Sequence, residues 1–121
     1  KSHTDAEILR IQIWLENRIG TSISMEQVAA EFGLSMRNFI RRFKAATDQT
    51  PILYLQNLRI EKAKHLLESS QLAFDQITQK VGYDDGNSFR RLFKQRVGLV
   101  PSAYRKRFEN IRGEQHSGGS N

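Results

Sequence analysis

Eight of the chain's 19 lysines and arginines fall in two short stretches that hold no acid. Residues 35–44 carry Arg37, Arg41, Arg42 and Lys44, and residues 86–96 carry Arg90, Arg91, Lys94 and Arg96. The rest of the chain has 11 basic residues against all 13 acidic ones, so it is net −2 while the two stretches together hold +8. A guanidinium is a planar fork of donors that can reach two phosphate oxygens at once, and charge concentrated in this way marks where a duplex would be touched.

Other chemistries lack their parts. Without cysteine there can be no disulfide, zinc ribbon or thiol catalysis. The three histidines are isolated: His3 and His116 lie in the terminal stretches, and His65 has no ligand partner at i+3 or i+4. No Gly-rich phosphate loop is present, and Asp84 and Asp85 sit in a turn with no partner placed to make them acid and base. The expectation is a protein that is not an enzyme and uses no cofactor or metal.

Composition agrees. A chain of 121 residues is one domain, or two half-domains sharing a core, and a 38% hydrophobic content suits a small helical protein. A net charge of +6 and a pI near 10.0 favour a polyanion, either nucleic acid or an anionic membrane surface. The membrane fits less well, because no apolar run is long enough to span. With no signal peptide, a cytoplasmic location is expected. The chain starts at Lys1 without a methionine and reads as a piece of a longer protein.

The elements that position the basic stretches occur twice. Residues 27–54 read QVAAEFGLSMRNFIRRFKAATDQTPILY and residues 76–104 read QITQKVGYDDGNSFRRLFKQRVGLVPSAY. Gln27 and Gly33 match Gln76 and Gly82; after one inserted residue, Phe39, Arg41, Phe43, Lys44, Pro51 and Tyr54 match Phe89, Arg91, Phe93, Lys94, Pro101 and Tyr104. Eight identities in 28 positions compare with about two expected from ordinary residue usage. Each copy has helix-turn-helix grammar: an apolar pair four apart (Val28 and Phe32; Ile77 and Val81), a glycine for the turn, and a second helix whose aromatics at i and i+4 face inward.

Around the repeat, Ile8, Ile11, Leu15 and Ile19 predict an amphipathic helix over 5–19, with Trp14 as a core anchor. Ser24 and Gln27 form a capping-box pattern and Ser35 can cap the next helix; both serines also stand where a helix N-terminus could receive a phosphate, plain capping being the simpler reading. Thr50-Pro51 starts a helix running to about residue 68, roughly 27 Å long at ~1.5 Å per residue. On it Ile60, Ala63 and Leu67 face the core while Arg59, Lys62 and Lys64 are expected in solvent. The second unit has Ala73 where a capping serine would be ideal, and Asp84 and Asp85 are expected to cap its second helix, Asp85 also being able to accept from a cytosine amine. Pro101 opens a last helix to about Phe108, and the polar tail from Gly113 is expected to be disordered. The fold class is all-α, about seven helices, with two helix-turn-helix units joined by a long linker helix.

Taken together, LRIEKAKHLL (58–67), ITQKVGY (77–83), SFRRLFK (88–94) and GLVPSAYR (98–105) resemble the DNA-binding domain of AraC-family transcription regulators, over about residues 5–108. The resemblance implies one such domain, comprising an N-terminal helix (1–20), a first helix-turn-helix (21–50), the linker helix (51–70), a second helix-turn-helix with the C-terminal helix (71–112) and the tail (113–121). It implies two recognition helices in successive major grooves of double-stranded DNA, about 34 Å apart. It also implies RNA polymerase as a partner and an N-terminal effector or dimerisation domain elsewhere in the protein, in the bacterial cytoplasm at the nucleoid. RNFIRRFK (37–44) and YLQNLRIE (54–61) look like the subgroup in which that other half is amidotransferase-like or peptidase-like.

The same resemblance assigns outward positions: Met36, Arg37, Ile40, Arg41 and Lys44 in the first unit, Gly86, Asn87, Arg90, Arg91 and Lys94 in the second. Arg37, Arg41, Arg90 and Arg91 can read guanine O6 and N7, Asn87 can pair with adenine, and Met36 and Ile40 can touch thymine methyls. Lys44 and Lys94 suit phosphates, as Ser24 and Ser35 do, and Arg42, where the second unit has Leu92, is expected to reach from the core edge to the DNA backbone. Since Arg37 faces Asn87 in the repeat and Ile40 faces Arg90, the site read should be asymmetric. The alternative is a helix-turn-helix interaction module that binds no DNA.

Overall fold

The computed structural model describes the backbone of residues 5–119 and the side chains of residues 5–113. Among the described residues seven helices follow one another: α1 (Ala6–Glu16), α2 (Met25–Glu31), α3 (Met36–Thr47), α4 (Pro51–Ser69), α5 (Phe74–Lys80), α6 (Gly86–Val97) and α7 (Pro101–Gly119). The chain divides into two compact units, Lys1–Arg59 and Ile60–Asn121, and the division falls inside α4.

In the first unit the stripe Ile8, Ile11 and Leu15 of α1 packs with Val28 and Ala29 of α2 and Phe39 and Phe43 of α3, all of them buried. The rings of Phe39 and Phe43 meet edge to face at 5.9 Å, and Tyr54 adds a third ring 5.2 Å from Phe43. Edge-to-face contact suits the ring quadrupoles and adds specificity of orientation to apolar burial. The second unit repeats the arrangement with Ile60, Ala63 and Leu67 of α4, Ile77 and Val81 at α5, and Phe89 and Phe93 of α6. Here Phe74 stacks on Phe89 at 5.6 Å and Tyr104 meets Phe93 at 5.8 Å.

The turn inside each unit follows from one glycine. Gly33 and Gly82 sit at φ 69° and 80°, in the left-handed region. Their N–H groups donate to Ala30 and Gln79, and the next residues, Leu34 and Tyr83, donate back to Ala29 and Thr78 at 2.8 and 3.1 Å. This pair of bonds satisfies carbonyls that the end of α2 or α5 would otherwise leave open, and it reverses the chain toward the following helix. At the far end of α3 the left-handed position is taken by Asp48 (φ 65°), where α6 has Gly98 (φ 91°).

Four expectations need correction. The first helix ends at Glu16 instead of residue 19: Arg18 N–H donates to Leu15 O and Thr21 N–H to Arg18 O, so the chain turns there, and the Arg18 guanidinium lies 4.2 Å from the Trp14 ring centre. Arg59 is not in solvent. It is 8% exposed, and it donates to the carbonyls of Ile19 and Thr21, which replace its water. The last helix passes Phe108, steadied by Arg112, which lies over the Phe108 ring and donates to Glu68 O. The tail expected from Gly113 thus starts as a continuation of α7 to Gly119; His3 lies outside the described residues, as does the His116 side chain.

Lys62 is exposed and Lys64 pairs with Glu61 at 3.2 Å, as a solvated face would. No helix of the described residues is long and apolar enough to cross a membrane. A Cβ added at Gly33 would meet nothing within 4 Å, so Gly33→Ala tests backbone conformation alone. It should cost the first unit about 1–2 kcal/mol, measured by denaturant unfolding, because an L side chain at positive φ crowds its own carbonyl.

Candidate nucleic-acid interface

The two basic stretches are α3 and α6, and the buried aromatic pair sets how each is turned. With Phe39 and Phe43 fully buried, the opposite side of the helix is forced outward. Arg37, Ile40, Arg41 and Lys44 are exposed and Met36 is half-buried. On α6, Asn87, Arg90, Arg91 and Lys94 are exposed and Gly86 is half-buried. Each unit by itself therefore brings its five expected positions onto one face.

Both helices are started by side chains. Ser35 Oγ accepts from Asn38 N–H at 3.2 Å. Asp85 Oδ1 accepts from Asn87 N–H at 3.0 Å, while Oδ2 accepts from the Ser88 hydroxyl at 2.8 Å. These bonds, led by that from the Ser88 hydroxyl, hold the Asp85 carboxyl below its ordinary value of 3.8. Asp85 is thus engaged as a cap, and Asp84 is simply exposed.

The matched arginines are held alike. Arg41 Nη2 donates to Asn38 Oδ1 at 3.2 Å, and Arg91 Nη2 donates to Ser88 Oγ at 3.3 Å, each reaching three residues back. One bond fixes the fork without exhausting its five donors. Arg90 leans on α5, its guanidinium 4.9 Å from the Phe74 ring centre and 3.7 Å from Asp75. In the first unit the corresponding Ile40 instead borders an open apolar cleft of about 550 Å³ with Met25, Met36 and Ile52.

Two of the expected backbone contacts look different in the structure. Arg42 does not reach outward: Nη2 and Nε donate to Asp5 at 2.8 and 3.3 Å, and Nη1 donates to Glu7 at 2.9 Å. The acids at the start of α1 draw it there, and its hydrogen bond holds the Asp5 carboxyl below 3.8. Ser24 Oγ accepts from Gln27 N–H at 3.3 Å and donates its own hydrogen bond to Glu26 Oε1 at 3.0 Å, which sets an acid beside it. Lys44 and Lys94 are exposed near the helix ends.

Residue-by-residue reading missed how far the duplication extends. Ile8, Ile11, Leu15 and Glu16 of α1 correspond to Ile60, Ala63, Leu67 and Glu68 of α4 at a constant offset of 52. The structure gives the correspondence its purpose. Tyr54 Oη donates to Glu16 at 2.9 Å and Tyr104 Oη donates to Glu68, tying each unit's last helix to its first. Arg105 donates to the carbonyls of Leu67, Ser70 and Leu72, as Arg59 does to those of Ile19 and Thr21. Both arginines hold the loop that leads into a helix-turn-helix. The offset of 52 was visible in the sequence, but with only three identities in those 11 positions it is faint.

A family model described as a helix-turn-helix domain matches residues 28–107. The regulatory protein of the MmsAB operon of Pseudomonas aeruginosa is 40% identical over 97 residues, covering 80% of this chain and 32% of that protein. The transcriptional activator RhaS of Escherichia fergusonii is 36% identical over 104 residues, covering 86% and 37%. The chain belongs to the AraC-type helix-turn-helix DNA-binding domains of transcription regulators. Among solved structures, the DNA-binding domain of AdpA in complex with a target DNA is similar to this AraC-type domain with a TM-score of 0.84 and 27% identity, covering 88% of this chain and 96% of that one. The C-terminal domain of AraT, a response regulator from Geobacillus stearothermophilus, is similar with a TM-score of 0.81 and 28% identity, covering 88% of both. The family is one of DNA-binding domains and not of enzymes. The chain spans about a third of the length of the curated relatives it matches.

Two outcomes follow for this AraC-type domain. Arg42→Leu, which copies Leu92, should destabilise the first unit by about 1–3 kcal/mol because Asp5 and Glu7 lose a charged partner. It should leave the salt dependence of DNA binding unchanged, where a lost phosphate contact would lower the slope by about 0.9. Tyr104 is pushed up to about 12, first by burial and then by its bond to Glu68. A raised tyrosine stabilises fully below its unfolded value, near 10, and that contribution is lost as pH climbs through the folded value. Stability against denaturant should thus fall more steeply between pH 10 and 12 in the parent than in Tyr104→Phe.

Proposed function

We propose that this domain reads double-stranded DNA with α3 and α6, each laid in a major groove, the two grooves being successive on one face of the duplex. The observation that carries the reading is the matched pair Arg41 and Arg91, exposed on the same face of equivalent helices and steadied by equivalent bonds to Asn38 and Ser88. Around them Met36, Arg37 and Ile40 in the first unit, and Gly86, Asn87 and Arg90 in the second, supply different chemistry to the groove. Arginine and asparagine suit guanine and adenine edges, and Met36 and Ile40 suit thymine methyls. The operator is accordingly asymmetric. Lys44, Lys94 and the Ser35 end of α3 face phosphates, whereas Ser24, with Glu26 beside it, is the weaker of the two serine positions.

The regulator to which the domain belongs acts in the bacterial cytoplasm at the nucleoid, carries an effector or dimerisation domain besides this one, and works on RNA polymerase. The curated relatives' greater length supports the second point.

The repeat supplies its own control. Arg41→Ala should lose about 1–3 kcal/mol on the preferred operator and relax one base pair, and Arg91→Ala should do the same about 10 base pairs away. Both are read by binding to a library in which every operator position is varied. Uniform weakening with no position relaxed would reduce these arginines to phosphate contacts, and relaxation of the same base pair by both would remove the two-groove arrangement. Affinity that does not change with salt would instead mean an interaction module.

A further inference from the structure

We propose that Asp75, on α5, is a positioning residue for base selection by Arg90: with the Phe74 ring it holds the Arg90 guanidinium poised for a base edge and disfavours phosphate. This rests on the reading of α6 as a recognition helix. Nη2 of Arg90 lies 3.7 Å from Asp75 Oδ1, beyond hydrogen-bond length, so the carboxylate steadies the charge without occupying a donor. The guanidinium also sits 4.9 Å from the centre of Phe74. That ring is itself fixed, stacked on Phe89 and edge-on to Phe93 at 5.9 Å, so it offers a rigid platform instead of another mobile side chain.

The internal repeat shows that this is a built difference between the units. At the places of Ala73, Phe74, Asp75 and Arg90 the first unit has Ser24, Met25, Glu26 and Ile40. There the acid accepts a hydrogen bond from the capping Ser24 hydroxyl, and Ile40 faces the apolar cleft. In the second unit Ala73 has no hydroxyl to offer, Gln76 Oε1 instead accepts from the Ala73 N–H at 3.0 Å, and the acid faces an arginine. The acid at this place thus has a serine hydroxyl for a partner in the first unit and an arginine in the second.

The physical effect is twofold. An arginine loses substantial rotamer freedom when it is ordered against a base, and a side chain already held loses less. A carboxylate beside the guanidinium also lowers its net pull on a phosphate more than its pull on a neutral base edge. Asp75 should therefore raise preference at one base pair while lowering affinity for DNA in general.

The test uses the whole chain, a varied operator library and a random duplex, all at one salt concentration. Arg90→Ala should relax one base pair. Asp75→Asn should relax that same base pair about two- to fivefold, as expected for an exposed pair, while random duplex binds more tightly; Asp75→Glu should keep most of the preference. Loss of operator and random binding alike by Asp75→Asn, with no position relaxed, would make Asp75 merely structural and overturn the inference. So would relaxation by Arg91→Ala but none by Arg90→Ala, a result that leaves the proposed function standing. If none of the arginine variants relaxed any position, base reading would fail and this inference with it.

Discussion

Everything in each unit depends on two phenylalanines one turn apart. Once Phe39 and Phe43, or Phe89 and Phe93, are driven out of water, the rotation of their helix about its axis is fixed, and with it the direction of every other side chain it carries. The remaining contacts serve that placement. The glycine turn delivers the helix at the right angle, the N-cap starts it at a defined residue, and the tyrosine of the last helix closes the core over the second ring. The exposed arginines contribute little to the fold themselves, and so they are free to differ between the units.

That division of labour explains what was legible beforehand. Core positions repeat because both units solve one packing problem, so the aromatics, the glycines and the prolines announced the helices and the all-α class. Pro51 and Pro101 start α4 and α7 where expected, and Ser35 and Asp85 cap α3 and α6 as their types suggest. The inward direction of the aromatics followed from the same periodicity, and the outward positions from the family resemblance. Pairings between segments distant in sequence were not legible. Arg42 and Arg59 carry the same charge as their exposed neighbours, and only the fold brings Asp5, Glu7 and the Ile19 and Thr21 carbonyls to them. The early end of α1 was hidden for a related reason, since Ile19 keeps the apolar spacing while its backbone has already turned.

The units also show how one scaffold hosts two surfaces. Where the first sets Met25 and Ile40 beside the acid Glu26, the second sets Phe74 and Arg90 beside the acid Asp75. The buried layer beneath keeps Ile8, Leu15, Phe39 and Phe43 as Ile60, Leu67, Phe89 and Phe93, so the exchanges at the surface leave the main core contacts in place.

α4 belongs to both halves of the duplication. Its first turns supply Tyr54 and Leu58 to one core, and its later turns supply Ile60, Ala63 and Leu67 to the other, in the part that α1 plays for the first. Severing the chain at the division between Arg59 and Ile60 would strip four N–H groups of their partners and leave a ragged helix start against a hydrophobic layer. Self-sufficient fragments must consequently overlap: residues 5–69 for one, 51–113 for the other, each keeping the shared helix entire. The duplication is of two bodies, yet the polypeptide cannot be divided into two without copying nineteen residues.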